Sequence, residues 1–175
     1  MTDLPTAPPA PSPRASVVCR LGALGYELLL LVAIVFVASF LALPLISPGH
    51  SRNVDALTVP ALPERVALFC MVFAILAWYF VWSWTGGRRT LPMKTWRLKL
   101  VLANGQSLPT KVALLRYLAT WIGPALALVA YAVLHRYGYG AHAVWLIALN
   151  FLWALIDPER RFLHDRIAGT RIVQQ

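Results

Sequence analysis

Charged residues and cysteine are both scarce in this sequence, and each shortage narrows what the chain can be. Only 13% of its 175 residues are charged, whereas 59% are hydrophobic. A soluble domain of this size carries about 25% charged residues. There is too little polar surface here to cover a water-soluble globule. The two cysteines, Cys19 and Cys70, form no CxxC pair, so a zinc or redox motif has no support.

Recognisable catalytic and nucleotide-binding motifs are also missing. The sequence has no Walker loop and no GxGxxG, GxSxG or HExxH pattern. Because these patterns supply phosphate-binding loops, activated serines and zinc ligands, we expect neither an enzyme nor a bound cofactor or metal. The first 16 residues hold five prolines and no apolar core of a signal peptide. We expect them to form a disordered cytoplasmic tail, with a partner-binding polyproline segment as the alternative, ahead of one domain over residues 17–175.

Long apolar runs are what the sequence has in abundance. Four are present, at about residues 21–43, 66–84, 118–134 and 141–156. At about 1.5 Å per residue the first reaches roughly 34 Å, enough to cross a ~30 Å hydrocarbon core. The fourth is at the short end of what spans a bilayer. The sequence therefore predicts an all-α membrane protein, a bundle of four transmembrane helices.

The distribution of basic residues predicts the orientation. With the N-terminus inside, two Lys and Arg residues in the N-terminal segment, seven in the 85–116 loop and four in the C-terminal tail make thirteen inside, against three outside. This split follows the positive-inside rule for a bacterial inner-membrane protein with both termini in the cytoplasm. It also explains the net charge of +9 without nucleic acid. The expected partners are the lipid bilayer and, at the basic loop, anionic lipid headgroups.

The polar loop between the second and third runs contains a β-type pattern. Trp96 to Leu100 alternates apolar and basic residues and leads into Asn104-Gly105, which is typical of a short strand followed by a turn. Thr170 to Val173 is a candidate for its partner in a short β-pairing, and an irregular interfacial stretch is an equally weighted alternative. Ser107 is expected to cap the next helix near Leu108.

One acidic residue lies inside the first apolar run. A carboxylate within the bilayer costs several kcal/mol unless it is paired, protonated or hydrated, so Glu27 is a candidate proton or cation site. Arg20 lies seven positions earlier, two turns away on the same helix face. The alternative is a structural pair between Glu27 and a basic residue of another helix, such as Arg116.

Ionisable residues are concentrated near the C-terminus. The stretch 157–170 contains Asp157, Arg161, His164 and Asp165. No second cluster of His or Cys accompanies it, so a metal site is not indicated. We expect these residues to form a network of ion pairs and hydrogen bonds at the level of the lipid headgroups.

These pieces, in this order, resemble the RDD family of bacterial membrane proteins, which is named for one arginine and two aspartates. The arginine that opens the first helix corresponds to Arg20, in Cys19 to Ala23. The first aspartate corresponds to Glu27, which carries the same charge on a longer side chain. The second corresponds to Asp165, in a C-terminal stretch from Leu163 to Val173 that matches closely. The resemblance covers roughly residues 17–173.

The middle loop resembles the family as well. Arg89-Thr90-Leu91-Pro92-Met93-Lys94 stands where the family has a Gly-x-Thr-Leu-Gly-Lys pattern, with Pro92 and Met93 replacing small residues. The resemblance implies a transport role, including cation/proton exchange for some members, with Arg20, Glu27 and Asp165 as the signature positions.

Two hypotheses follow for the function. The chain is a small transporter or cation/proton exchanger subunit, and a homodimer is then expected, because four helices make a bundle too small to enclose a path. Alternatively, the chain is a non-transporting membrane scaffold or assembly partner that binds lipid or protein through its basic loop.

Overall fold

The computed structural model describes residues 16–46 and 61–174. The predicted Pro-rich tail lies outside the described residues, apart from Ser16. Within them the chain is mostly helical, with one small sheet. Its elements are α1 (Val17–Ile46), α2 (Leu62–Trp84), α3 (Leu91–Thr95), β1 (Leu98–Leu102), α4 (Thr110–Thr120), α5 (Ile122–Leu134), 3₁₀ segments His135–Tyr137 and Gly140–Ala148, α6 (Leu149–Ile156), α7 (Leu163–Ile167) and β2 (Thr170–Gln174).

Three helical stretches are long and apolar enough to cross a membrane. They run over Val18–Ala42, Leu62–Trp84 and Thr110–Tyr137, and the last combines α4, α5 and the first 3₁₀ segment. Most of their large apolar side chains are exposed in the single chain, such as Leu29, Phe36 and Trp78. A soluble protein would bury such faces, whereas lipid covers them at no cost. These helices agree with the first three predicted runs.

The fourth apolar run has a different form. It begins as the 3₁₀ segment Gly140–Ala148 and continues as α6, so Gly140–Ile156 is a shorter apolar helix than the other three. It packs antiparallel against α5, since Gly123 lies against the carbonyl oxygens of Leu146 and Ile147, while Gly140 lies against Tyr131.

The predicted pairing of two short strands is confirmed. β1 and β2 form an antiparallel two-stranded sheet in which Leu98 faces Gln174 and Leu102 faces Thr170. Gly105 has a positive φ of 85°, as the predicted Asn-Gly turn requires. The sheet buries apolar side chains against the ends of α1, α2 and α4, in a cluster that includes Ala23, Leu76, Trp84, Leu98, Leu100, Ala113, Tyr117 and Ile172.

The predicted start of the third helix is wrong by two residues. α4 begins at Thr110, after Pro109, and Ser107 does not cap it. Leu108 is buried and pairs with Thr85 in an isolated parallel bridge, which holds it in an extended conformation. Burial of Leu108 therefore prevails over the local capping preference of Ser107.

A break separates α4 from α5, just before Gly123-Pro124. Pro124 has no N–H group to donate to the carbonyl of Thr120, four residues earlier. The side chain of Asn150 fills this role, because its Nδ2 donates to the Thr120 oxygen at 2.8 Å. Asn150 therefore joins α6 to the break through a polar contact between helices.

Substitution of Gly123 tests the close approach at this break. A Cβ atom there would lie 2.8 Å from the carbonyl oxygen of Leu146, so one of the two backbones must move. We expect Gly123→Ala to lower the free energy of unfolding by about 1–3 kcal/mol. Gly25→Ala is the matched control, since nothing lies within 4 Å of its Cβ position. Thermal unfolding in detergent measures both, and equal midpoints would contradict the packing described.

Candidate functional site

A cavity of about 360 Å³ lies where α1, α2, α4 and α6 meet the sheet and α7. Most of its lining is apolar, including Leu24, Leu31, Leu76, Phe80 and Phe151. Its polar lining includes a small set of side chains from α1, α4, α6 and α7: Arg20, Glu27, Arg116, Thr120, Asn150 and His164. An apolar cavity with a few converging polar groups is the usual form of a small-molecule or ion site.

Glu27 is buried at this cavity, with 8% of its surface exposed. Its two carboxylate oxygens each accept a hydrogen bond from a hydroxyl group. The Tyr79 hydroxyl donates to Oε1 at 2.8 Å, and the Thr90 hydroxyl donates to Oε2 at 2.7 Å. These bonds connect α1 to α2 and to the start of α3, where Thr90 also caps the helix by accepting from the Met93 N–H.

The sequence alone does not identify Tyr79 and Thr90 as the partners of Glu27. Tyr79 lies near the end of the second apolar run, and Thr90 lies in the part of the middle loop that resembles the family. The only indication in the sequence is that each of these residues carries a hydroxyl group, which can hydrogen-bond to a carboxylate. The alternative partner, Arg116, hydrogen-bonds to Asp165 instead.

Arg116 and Asp165 form a buried ion pair. The Arg116 Nε and Nη2 atoms lie 2.9 and 2.8 Å from Asp165 Oδ1, and the two side chains are 5% and 1% exposed. The guanidinium carbon of Arg116 lies 4.2 Å from the centre of the Trp84 ring, which adds a cation–π contact. The Thr170 hydroxyl donates to the same Asp165 oxygen at 3.2 Å. The pair therefore joins α4 to α7 and to the start of β2.

Burial and charge together determine the protonation of the groups around this pair. Burial acts to raise the pKa of Asp165, but the neighbouring groups together, chiefly the Arg116 guanidinium, hold the pKa below its ordinary value. Burial lowers the pKa of His164 to about 4. His164 is therefore a neutral imidazole at pH 7, and its contact of 3.7 Å with Asp165 Oδ1 is not an ion pair at that pH.

Arg20 connects the start of α1 to the C-terminal segment. Its Nη1 donates to the carbonyl oxygen of Arg160 at 2.9 Å. Its charge is also close enough to contribute to the lowered pKa of Asp165. The three signature positions thus gather at one end of the helices. Arg20 and Glu27 line the cavity, while Asp165 lies behind Arg116.

The other part of the predicted C-terminal network does not line the cavity. Asp157 Oδ2 accepts hydrogen bonds from the backbone N–H groups of Glu159 and Arg161 at 3.1 and 3.0 Å, and its Oδ1 pairs with Arg166 at 3.0 Å. The backbone N–H of Arg161 is the main reason that the pKa of Asp157 is lowered. Asp157 and Arg161 therefore shape the turn between α6 and α7. Among residues 16–46 and 61–174, no group of three or more His, Cys, Asp and Glu side chains could hold a metal ion.

The apolar helices, with polar groups gathered at one end of them, define a helical membrane protein. A model of the RDD family matches residues 14–169, which is most of the chain. The chain therefore belongs to the RDD family, and the resemblance noted in its sequence is confirmed. No curated protein and no solved structure matches it.

Removal of one member of the Arg116–Asp165 pair is expected to destabilise the fold. Arg116→Met leaves a buried carboxylate without its cation, which costs about 3–5 kcal/mol of unfolding free energy. The double variant with Asp165→Leu removes both charges and is expected to recover most of that loss. Denaturant titration in detergent, followed by tryptophan fluorescence, measures these differences.

The control for this experiment is Arg166→Met. Arg166 also pairs with a buried aspartate, but its side chain is 50% exposed, so we expect a loss of at most about 1 kcal/mol. Equal stabilities for Arg116→Met and Arg166→Met would show that the buried pair does not hold α7 in place.

Proposed function

We propose that this chain is a small transporter subunit in which Glu27 exchanges a proton for a cation. The observation that carries this proposal is the buried Glu27 carboxylate, which faces a largely apolar cavity from a helix long enough to span a membrane. Ionisable groups in such positions are uncommon and serve most often in ion or proton pathways.

The hydrogen-bond partners of Glu27 suit both of its protonation states. A hydroxyl group can donate a hydrogen bond or accept one. The Tyr79 and Thr90 hydroxyls donate to the charged carboxylate, and after rotation of an O–H bond either oxygen accepts from the protonated acid. The same two hydroxyl oxygens, with the carboxylate, make a set of oxygen ligands of the kind that hard cations prefer.

The charges around the cavity are compatible with entry of a cation. Arg116 also lines the cavity, but its positive charge is compensated by Asp165 at 2.8 Å. Arg20, the other positively charged lining residue, donates to the carbonyl oxygen of Arg160. The hydrogen bonds to Glu27 come from two neutral hydroxyls, so in this proposal its carboxylate can take up a proton or a cation. In this proposal Arg20 and Asp165 are positioning residues, which hold the end of α1 and the Arg116 side chain in place.

The proposal includes a topology: the chain crosses the bacterial inner membrane four times and has both termini in the cytoplasm. A 3₁₀ segment rises about 2.0 Å per residue, so the nine residues of Gly140–Ala148 and the eight of α6 extend for about 30 Å in all, the thickness of the hydrocarbon core. The bond from Arg20 to Arg160 supports a common side for the start of α1 and the C-terminal segment. A homodimer would supply the second wall of a path that one small bundle cannot enclose.

Flux measurements on Glu27→Gln test the proposal. In proteoliposomes with an imposed Na⁺ or K⁺ gradient, the wild-type chain is expected to move protons, detected by an enclosed pH-sensitive dye. Glu27→Gln removes the titratable group and should reduce this flux to that of empty vesicles. Glu64→Gln is the control, because Glu64 lies at the first turn of α2 and caps it by accepting from the Ala61 N–H. Equal cation-dependent flux in wild type and Glu27→Gln would remove Glu27 from the mechanism.

The second candidate function is a membrane scaffold that binds anionic lipids. Exposed basic residues Lys94 and Arg97 follow the exposed aromatic side chains Trp78 and Trp82, a combination suited to the headgroup region. In this case no flux exists to lose, and Glu27→Gln would only lower thermal stability.

Lipid titration tests this second candidate. Each basic residue near an anionic surface contributes about 1 kcal/mol, so Lys94→Gln with Arg97→Gln is expected to weaken binding of short-chain phosphatidylglycerol about thirtyfold. Phosphatidylcholine is the control lipid, and Arg136→Gln, an exposed residue after α5, is the control variant. Tryptophan fluorescence in detergent follows the binding. Similar affinities for the two lipids would argue against this function.

A further inference from the structure

The cavity that Glu27 lines has a cationic end and an apolar interior. Arg20 lines it at the end nearest the C-terminal segment, where it contacts the carbonyl oxygen of Arg160. Along α1 the lining continues past Glu27 to Leu28 and Leu31, on the side away from Arg20. Since a helix rises about 1.5 Å per residue, Arg20 lies about 10 Å before Glu27 and Leu31 about 6 Å beyond it. Glu27 therefore stands between the two parts of the cavity.

The positive charges at the cationic end face a carboxylate other than Glu27. Arg116 pairs with Asp165 at 2.8 Å, and the charge of Arg20 also contributes to the lowered pKa of Asp165. His164, at the same end, is neutral at pH 7 because burial lowers its pKa to about 4. Among the described residues that line the cavity, Glu27 is the one acidic side chain. A ligand in the apolar interior therefore meets the negative charge of Glu27 first.

Aromatic rings border the cavity beside this carboxylate. Phe80 directly follows Tyr79, which donates to Glu27, so Phe80 lies at about the same depth as the acid. The Phe80 and Tyr117 rings are 6.1 Å apart between centroids, and the Tyr117 and Trp121 rings are 6.2 Å apart. Phe80, Tyr117 and Trp121 all line the cavity. Because ring faces attract cations, neighbouring rings beside a carboxylate form a surface suited to a positive charge.

The same group of rings already contacts one cation of the protein itself. The Trp84 ring, which also lines the cavity, lies 4.7 Å from that of Phe80 between centroids. The guanidinium carbon of Arg116 lies 4.2 Å from the centre of the Trp84 ring. The rings farther from Arg116, those of Phe80 and Trp121, are therefore the ones that a second cation would meet.

The interior suits an organic cation better than a bare metal ion. The Tyr79 and Thr90 hydroxyls reach Glu27 from α2 and the start of α3, and neither residue is among the described residues that line the cavity. Hard cations such as Mg²⁺ and Ca²⁺ take about six to eight oxygen ligands. A quaternary ammonium ion needs no such ligands, because a negative charge and aromatic surface hold it. The volume of about 360 Å³ lies within the roughly 300–1,000 Å³ range of small-molecule sites.

We infer that the preferred substrate of this cavity is a monovalent, largely apolar organic cation of the quaternary ammonium type, bound in place of the Glu27 proton. The cationic centre lies between Glu27 and the Phe80 and Trp121 rings, and the apolar body occupies the interior beside Leu28 and Leu31. One carboxylate matches one positive charge, so the protonated site and the cation-loaded site carry the same net charge. The inference rests on the proposed exchange at Glu27 and adds the class of substrate.

Binding of radiolabelled benzyltrimethylammonium to the full chain in detergent tests this inference. We expect saturable binding that the unlabelled cation displaces. Na⁺ or K⁺ should displace it only at concentrations about tenfold higher or more, since one desolvated cation–π contact is worth about that factor. Neopentylbenzene is the matched control ligand, because it has the same shape with a carbon atom in place of the charged nitrogen. It should not displace the cation.

Two variants of Glu27 separate its charge from its place in the fold. Glu27→Gln removes the negative charge, so saturable binding of benzyltrimethylammonium should be lost. Glu27→Asp keeps the charge on a side chain one methylene shorter, and binding should be retained. Thermal unfolding in detergent reports whether each variant is folded, and Glu27→Asp keeps the test decisive if Glu27→Gln is not.

Ring variants test the aromatic part of the site. Phe80→Leu and Trp121→Leu each remove one ring face and keep an apolar side chain, so we expect binding to weaken about two- to thirtyfold. Phe36→Leu is the matched control, because Phe36 is 70% exposed on α1 and is not among the described lining residues. Its affinity for the cation should equal that of the wild type.

The substrate class and the exchange can fail separately. Equal binding to the wild type and a folded Glu27→Gln variant, or displacement by neopentylbenzene, would overturn the inference. Proton flux driven by Na⁺ or K⁺ in proteoliposomes, without any binding of benzyltrimethylammonium, would contradict the substrate class and leave the exchange in place. Saturable binding that depends on Glu27, without proton flux in a gradient of any of these cations, would support the substrate class and contradict the exchange.

Discussion

The buried pair between Arg116 and Asp165 is the interaction on which the rest of the site depends. Two charges removed from water need each other and further hydrogen bonds to remain buried, and here Thr170 and the Trp84 ring provide additional contacts. Because Arg116 lies on α4 and Asp165 on α7, the pair holds the C-terminal segment against the helices. The position of β2, which follows α7, and its pairing with β1 follow from the same attachment.

That attachment also determines which charges face the cavity. Asp165 compensates Arg116, so Glu27 can be held by the uncharged hydroxyls of Tyr79 and Thr90 instead of a cation. Asp165 is therefore paired with a cation, whereas Glu27 is hydrogen-bonded by neutral hydroxyls. Family membership and helix composition establish a membrane protein. The cation exchange proposed for Glu27 is based on this difference between the two acids.

Much of the framework could be predicted from the sequence, because it depends on local signals. Apolar run length predicted α1, α2 and the α4–α5 unit, and residue alternation with an Asn-Gly turn predicted β1 and its partner β2. The contacts of Glu27 could not be predicted, since Tyr79 and Thr90 lie 52 and 63 positions away and periodicity assigns residues to faces, not to partners. The start of α4 was missed for a similar reason, because the tertiary burial of Leu108 outweighs the local preference of Ser107.

The contact between Asn150 and the carbonyl of Thr120 links backbone geometry to cavity chemistry. Because Pro124 has no N–H, the carbonyl of Thr120 lacks its usual helical donor. The Asn150 Nδ2 group donates to this carbonyl, and the Asn150 Oδ1 atom therefore points away from it. We therefore expect the residues at positions 124 and 150 to change together among relatives. A relative with a regular helix at this point would have no use for the amide nitrogen, and its cavity wall would be free to become wholly apolar.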